Sequence, residues 1–425
     1  MSPLRFAPVD MTGCSKKEKG GGRCGEAAPS SSTPINSFSS CRPKRSGVET
    51  SILKYIIFVF LFVLLIVLAA ATVIEKLYGS EVAHEQIYGA GGFVVLWGVL
   101  GVSSLIYILS VLRRSPVILL FHCSFIIILL GAFLTYLTGD RGYVHIRQGE
   151  IANFYISEET AVKHSLPFDL KLLLFDIEYH PETDEPADYI SFLKVNDEVC
   201  RVSMNKIYKR QGYRLYQMDY DADEMGATLL VSHDPWGIAV TYAGYALLAL
   251  AMLWLLFRRI SWKGMLWAFI PVAGLWYYIS QLNPMTPVLR SPMLAAHVSI
   301  IMVSYLLLLT ILVLSIVGLS SQKLRKRMYD WNTRLLYPAL FFLAAGIFIG
   351  AVWANISWGR YWGWDAKETW ALITLLVYAL PLHKGSLPGF RNPRTFHWYC
   401  LIAFLSILMT FFGVSYFLGG IHSYV

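Results

Sequence analysis

Long apolar runs separated by short basic or aromatic stretches dominate the chain beyond residue 50. A bilayer core of about 30 Å needs about 20 apolar residues in a helix. Nine runs approach that length: 52–73, 89–112, 117–137, 236–257, 264–281, 296–319, 335–354, 368–383 and 397–419. The eighth is short, and the fifth is diluted by Trp267, Trp276, Tyr277 and Tyr278. Between the third and fourth runs the pattern changes. Alternation in Tyr143-Val144-His145-Ile146 and Gly212-Tyr213-Arg214-Leu215-Tyr216, with turn-rich residues at 181–186, predicts a small β-rich domain over 138–234. The expected fold class is an all-α polytopic membrane protein of about nine transmembrane helices with a small β-rich extracytoplasmic domain.

Composition supports the membrane class. Of 425 residues, 56% are hydrophobic and 15% charged, too little charge to cover a soluble protein of this size. Residues 1–50 differ: rich in Gly, Ser, Pro, Lys and Arg, they predict a disordered cytoplasmic tail. Ala69-Ala70-Ala71 resembles a signal-peptide cleavage site, but the run before it is longer than a signal core and far from the N-terminus, so a retained helix is expected. The six cysteines, at 14, 24, 41, 123, 200 and 400, form no CxxC pair, which argues against a disulfide scaffold or a thiol-exchange site.

The net charge of +8 bears first on topology, and no nucleic-acid partner is expected. Arg113 and Arg114 follow run two, Arg258, Arg259 and Lys263 run four, Lys323, Arg325, Lys326, Arg327 and Arg334 run six, and Lys384, Arg391 and Arg394 run eight. With nine spans these clusters and the basic tail share one side, the cytoplasm by the positive-inside rule. The N-terminus is then cytoplasmic, while the C-terminus and 138–234 lie outside. The organisation read from this is a tail (1–50), three helices (51–137), the outer domain (138–234), a fourth helix (235–262) and a second membrane domain (263–425).

Drawn on that topology, five histidines fall at two depths. His122, His383 and His397 lie toward the cytoplasmic side, while His297 and His422 lie toward the outside. Ionisable groups in or beside spans are costly and usually have a partner or ligand. Each alone is most simply an interfacial or hydrogen-bonded side chain, but two imidazoles can also hold one haem iron from opposite faces. Position does not separate His383 from His397 as partner of His122. The other five, His84, His145, His164, His180 and His233, are expected at the surface, His84 lying closest to the membrane.

The segment 355–370 is the second chemical feature, through Trp358-Gly359-Arg360-Tyr361-Trp362-Gly363-Trp364-Asp365-Ala366-Lys367-Glu368-Thr369-Trp370. Interfacial preference explains two or three tryptophans. It does not explain four in thirteen residues interleaved with Gly and with Arg, Asp, Lys and Glu. Gly359 and Gly363 permit close backbone approach, and the indoles offer a flat apolar wall. Such a surface suits a haem or quinone, with Arg360 or Lys367 near any carboxylate substituents.

This segment resembles the tryptophan-rich signature of the haem-handling proteins of cytochrome c biogenesis, the CcsA (ResC) type: W-G-x-x-W-x-W-D-x-K-E-x-W is present in full. Members often carry proline after the aspartate, where this chain has Ala366. Ala296-His297-Val298-Ser299, Leu382-His383 and Gly420-Ile421-His422-Ser423-Tyr424 resemble the family's flanking histidine stretches, and this favours His383 over His397. The first half is similar, more weakly, to the partner protein CcsB (ResB), through its helical plan, Phe121-His122 and Gly139-Asp140-Arg141-Gly142-Tyr143. Together these cover roughly 52–425, in the order of fused System II cytochrome c synthetases, with a smaller outer domain than is usual.

The resemblance implies a bacterial inner-membrane protein that moves haem b outward as cargo and substrate. His122 and His383 would ligate it within the membrane, and His297 and His422 at the external site with Trp358, Trp362, Trp364 and Trp370. There its vinyl groups would meet the reduced thiols of an apocytochrome c CxxCH segment, forming thioether bonds, a haem lyase activity. Asp365, Lys367 and Glu368 are placed to bind propionates or to shape the loop, and none is expected as a general acid. Lacking a CxxC pair, the chain would depend on a separate thiol-disulfide oxidoreductase. The alternatives are a haem exporter without ligase activity and a quinol-linked b-type haem oxidoreductase.

Overall fold

The computed structural model describes residues 46–111, 115–158, 160–182, 184–259, 261–281 and 291–418. Most of the expected tail (1–50), and with it Cys14, Cys24 and Cys41, lies outside the described residues, as does His422.

The chain begins with α1 (Ser46–Tyr78), then a short α2 (Ser80–Ala83) and a π-helical turn (His84–Tyr88) that lead into α3 (Gly91–Val111) and α4 (Pro116–Thr138). Eight strands follow, β1 (Asp140–Arg147), β2 (Ile151–Ser157), β3 (Lys163–Tyr179), β4 (Pro186–Val195), β5 (Glu198–Ser203), β6 (Tyr208–Arg210), β7 (Tyr213–Tyr220) and β8 (Gly226–His233). The rest is helical: α5 (Gly237–Arg259), α6 (Trp262–Gln281), α7 (Pro292–Ser320), α8 (Gln322–Trp358), α9 (Ala366–Ala379) and α10 (Pro393–Leu408), with a 3-10 turn at Leu380–His383 and a π-helix at Met409–Leu418.

Seven described helices are long and apolar enough to cross a membrane: Ile52–Tyr78, Gly91–Ser110, Pro116–Thr138, Gly237–Arg258, Pro292–Ser320, Gln322–Trp358 and Pro393–Leu418. The protein is therefore a multi-pass membrane protein. The other two expected spans are helices that fall short by composition or length. The 20-residue α6 is diluted by aromatic residues and contains Pro271, and α9 has 14 residues. Yet α9 and its 3-10 extension run alongside α3. The Trp364 ring lies 5.1 Å from that of Phe93, and Ser386 Oγ lies 3.0 Å from Tyr107 Oη. Phe93 and Tyr107 are about 21 Å apart along a helix at 1.5 Å per residue. Residues 364–386 cover that same depth.

All eight strands belong to one antiparallel sheet in the order β5-β4-β3-β2-β1-β8-β7-β6. Ser191 Oγ on β4 donates to Gln217 Oε1 on β7 at 2.6 Å, although their strands stand far apart in that order, so the sheet rolls over its own core. That core includes Val144, Ile146, Leu170, Leu172, Leu193, Val195, Leu215, Leu229 and Val231. Entry and exit strands pair directly, Asp140 opposite His233, and α4 packs against α5 beneath them. The helices approach closely where side chains are absent. A Cβ on Gly131 would sit 2.6 Å from the Thr241 nitrogen, and one on Gly237 2.5 Å from that of Thr135.

The rolled sheet is seated on the end of α8. Asn355 Oδ1 accepts from Arg214 at 2.7 Å and from the Tyr242 hydroxyl at 2.9 Å, and its carbonyl accepts from the Tyr216 hydroxyl at 3.1 Å. Gly359, at φ +74°, ends α8 in the left-handed region, where a Cβ would meet Leu230 Cδ2 at 3.0 Å and Tyr216 Cε2 at 3.1 Å.

Candidate functional site: two histidine positions and a tryptophan-rich turn

His122 lies in the second turn of α4, which starts at Pro116, and His383 closes the 3-10 turn after α9. Their rings are 6.1 Å apart between centroids and inclined at 82°. Each Nδ1–H donates to the carbonyl four residues earlier, Ile118 at 2.8 Å and Ala379 at 3.0 Å. A carbonyl can only accept, so the neutral rings carry the proton on Nδ1 and leave Nε2 as a lone pair, the tautomer a metal requires. A nitrogen–metal bond of about 2 Å on each side, with each ring centre about 1 Å behind its nitrogen, sets two such rings about 6 Å apart. The observed spacing fits.

His397 sits elsewhere. It is buried between the end of α7 and the start of α8, its Nε2–H donating to the Arg325 carbonyl at 3.1 Å. A Cβ on Gly318 would fall 2.5 Å from that Nε2. Its environment is that of a packed core side chain.

His297, in the second turn of α7, donates from Nδ1 to the Gly346 carbonyl on α8 at 2.7 Å. A Cβ on Gly350 would lie 2.6 Å from His297 Nδ1, and one on Gly346 2.6 Å from Ile301 Cδ1. Gly346-Ile347-Phe348-Ile349-Gly350 thus brings α7 against α8 in the small-xxx-small manner of membrane helices, and the imidazole occupies the space the second glycine leaves. The four-residue spacing of the two glycines is the sequence signal for this contact. By helical rise, Trp358 lies about 12 Å further along α8 from Gly350.

The tryptophan-rich turn connects α8 to α9. The Tyr361 hydroxyl donates to Thr135 Oγ1 at 2.9 Å, and Thr135 in turn donates to Asp234 at 2.6 Å, tying the turn to both ends of the sheet insertion. Trp364 adopts a left-handed φ of 54°, a conformation that costs a non-glycine residue about 1–3 kcal/mol. Its ring stacks on Tyr88 at 5.0 Å and 11° and meets Phe93 and Trp362 edge-on at 5.1 and 5.7 Å. Trp370 donates from Nε1 to Thr72 Oγ1 at 3.1 Å, and the Trp358 ring meets Trp353 edge-on at 6.4 Å. Trp362 Nε1 and Arg141 Nε are buried without a hydrogen-bond partner.

The charged residues divide by role. Asp365 is the N-cap of α9, accepting from the Lys367 nitrogen at 2.8 Å, and Glu368 accepts from the Gly363 nitrogen at 2.8 Å. Both shape the loop. Lys367 reaches Ser415 Oγ at 3.3 Å. The Arg360 guanidinium folds over Gly363, whose Cβ position is 3.2 Å from its Nε. Burial pushes the Arg141 guanidinium below its ordinary range, Glu158 opposes this, and the charge of Arg360 adds to it. Asp365→Ala is expected to destabilise the protein by about 1 kcal/mol through loss of the cap, with Asp365→Asn near wild type. Thermal unfolding of the purified protein in detergent would measure this.

The surface expectation for the remaining histidines needs correction at three positions. His84 is half-buried and donates from Nε2 to the Gly363 carbonyl at 2.8 Å. Burial, then the charge of Arg360, holds its pKa below the ordinary 6.5. His180 is buried, and His233 stacks on Tyr213 at 4.3 Å. Chain folding across the sheet and the turn brings these rings under cover, which local pattern does not report. His145 and His164 pair with Asp221 and Asp140 at the surface.

Comparison with known proteins covers most of the described helices and the sheet. Residues 112–251 match the ResB-like family, and residues 236–422 match the family described as Cytochrome C assembly protein. Protein NrfI of Wolinella succinogenes is 36% identical over 196 residues, 39% of this chain and 22% of that protein. Cytochrome c biogenesis protein CcsA of Chlamydomonas reinhardtii is 36% identical over 157 residues, 34% of this chain and 44% of that protein. The CcsA of Oenothera argillicola is 41% identical over 97 residues, 22% of this chain and 29% of that protein. The chain thus spans less than half the length of each of these relatives. Residues 46–111 precede both matched stretches. The two matches follow one another on a single polypeptide, and the chain is accordingly a fusion of a ResB-like (CcsB) part with a cytochrome c assembly part of the CcsA type.

Proposed function

We propose that this protein works in cytochrome c biogenesis, receiving haem b at His122 and His383, presenting it outside the membrane at His297 and His422, and supporting its covalent attachment to the CxxCH cysteines of an apocytochrome c. The observation that carries the reading is the inner pair: two imidazoles 6.1 Å apart, each with Nδ1 occupied by a carbonyl and Nε2 left for a ligand. The unpartnered Trp362 Nε1 and Arg141 Nε near the turn fit a planar group with a carboxylate edge, with Arg360 beside them. Nine crossings, with α6 and α9 included, keep every basic cluster on the cytoplasmic side of a bacterial inner membrane and place the sheet and the turn outside.

In the attachment step each cysteine S–H adds across a vinyl C=C: a C–S bond forms at one carbon and the thiol hydrogen ends on the other. The step is redox-neutral, so the thiols must arrive reduced, which assigns their upkeep to a separate thiol-disulfide oxidoreductase. The chain's part is positional. His297 and His422 would hold the haem and the indole wall would bound its edge, so that sulfur and vinyl carbon could approach in register.

Co-expression with an apocytochrome c, in a host lacking its own maturation system, tests the reading. Covalent attachment that His297→Ala and His422→Ala both abolish is the expected result. Bound haem without attachment by the wild-type protein would replace it with haem export, and rapid reduction of the haem by quinol without attachment would replace it with electron transfer.

A further inference from the structure

The stretch that precedes both family segments builds one wall of the tryptophan-rich turn. Between α1 and α3 the chain makes a π-helical turn, closed by the Gly89 nitrogen donating to the His84 carbonyl at 2.8 Å. Such turns are rare and recur at functional sites. Here the turn places the His84 and Tyr88 rings 5.5 Å apart, both toward the connection from α8 to α9. His84 donates to the Gly363 carbonyl while Tyr88 stacks on Trp364.

The Gly363 carbonyl belongs to the peptide plane that leads into Trp364. Its orientation therefore fixes φ of Trp364, the angle held at 54°. Glu368 grips the nitrogen of Gly363 and His84 its carbonyl, both at 2.8 Å, so the residue before the strained tryptophan is clamped at both ends. Two hydrogen bonds and a stacked ring act together on one peptide, enough to hold a strained angle. Because His84 keeps a donor on Nε2, an amide at the same height can substitute for it, whereas a hydrocarbon cannot.

We propose that His84 is a positioning residue of the outer site: its bond to Gly363 sets the peptide plane that aims Trp364, and so aligns the haem edge for attachment. The proposal rests on the reading of the outer site as a haem-attachment site. It gives the N-terminal helices a direct part in the chemistry, beyond anchoring the chain.

The test uses the full-length protein co-expressed with an apocytochrome c, scored for attached haem and for the inner-site haem spectrum at matched protein level. His84→Leu is expected to lower attachment about tenfold or more, the scale of a misaligned near-attack geometry. Its inner-site spectrum should be unchanged, which reports a folded protein. His84→Gln should restore most of the attachment, and Gly274→Ala on α6, where nothing lies within 4 Å of the added atom, should match wild type. Wild-type attachment in His84→Leu, or equal loss in His84→Leu and His84→Gln, overturns the proposal. His297→Ala run in parallel separates the two levels. If it retains attachment, the outer-site reading falls; if it loses attachment while His84→Leu does not, only the positioning role falls.

Discussion

Replacing His122 or His383 with alanine is expected to remove the haem absorbance of the inner position, while His397→Ala leaves it in place. Either substitution of the pair leaves one imidazole facing an empty side. Loss of even a supporting group around a metal commonly costs about 10–100-fold in affinity, so loss of a residue proposed to hold the iron itself should exceed that scale. His397 has a different task. Its Nε2 is bonded to the Arg325 carbonyl and its ring fills the space over Gly318, so its removal opens a cavity and lowers stability. Reduced-minus-oxidised spectra of the purified variants, normalised to protein, give the comparison. Retention of the inner signal in both His122→Ala and His383→Ala would sink the assignment.

Gly350→Ala should reproduce the His297→Ala defect although it adds only a methyl group and replaces no proposed ligand. The new Cβ would lie 2.6 Å from His297 Nδ1 and 2.7 Å from Cε1, closer than carbon and nitrogen tolerate. The α8 backbone is packed against Ile301 at Gly346, so the ring is the part that moves, and it leaves the Gly346 carbonyl as it does. Attachment in the co-expression assay is expected to fall by about two orders of magnitude, as a 1 Å displacement of a positioning group can. The inner spectrum should persist. Gly274→Ala, where nothing lies within 4 Å of the added atom, should behave as wild type. A fully active Gly350→Ala would mean that the position of His297 does not govern the outer chemistry.

Much of the architecture was legible because membranes impose simple length and polarity rules. The runs that became α1, α3, α4, α5, α7, α8 and the final helix could be read from hydropathy, and the alternation at Tyr143-Val144-His145-Ile146 correctly announced strands. For α6 and α9, composition and length are at the margin, and only the contacts of Trp364 and Ser386 with α3 show how far the second of them extends. The rolling of the sheet was beyond reach, since Ser191 and Gln217 meet through long-range closure that no local pattern encodes.

At the candidate site, depth along the spans grouped His122 with both His383 and His397, and hydropathy could not choose between them. The structure pairs His122 with His383 because the 3-10 turn after α9 swings that ring toward α4, while α10 carries His397 against α7 and α8. The clamp on Gly363 was invisible for the same reason: His84 is 279 positions away in the chain and sits in a loop with no distinguishing composition. Asn355 carried a faint signal, as an amide directly after an apolar run that had to find partners, and it found them in Arg214, Tyr216 and Tyr242.

The pairing of Asp140 with His233 has a consequence for how such proteins can vary. A chain that leaves α4 and returns to α5 through neighbouring strands closes its insertion across a gap of about 4.8 Å. The sheet is therefore a graft on a helical hairpin whose two stumps already touch. Material can be added to or trimmed from its far rim without re-laying a single crossing. What a graft cannot lose is its underside, where Arg214 and Tyr216 reach Asn355. Size in the outer domain is free to drift, and its footprint on α8 is not.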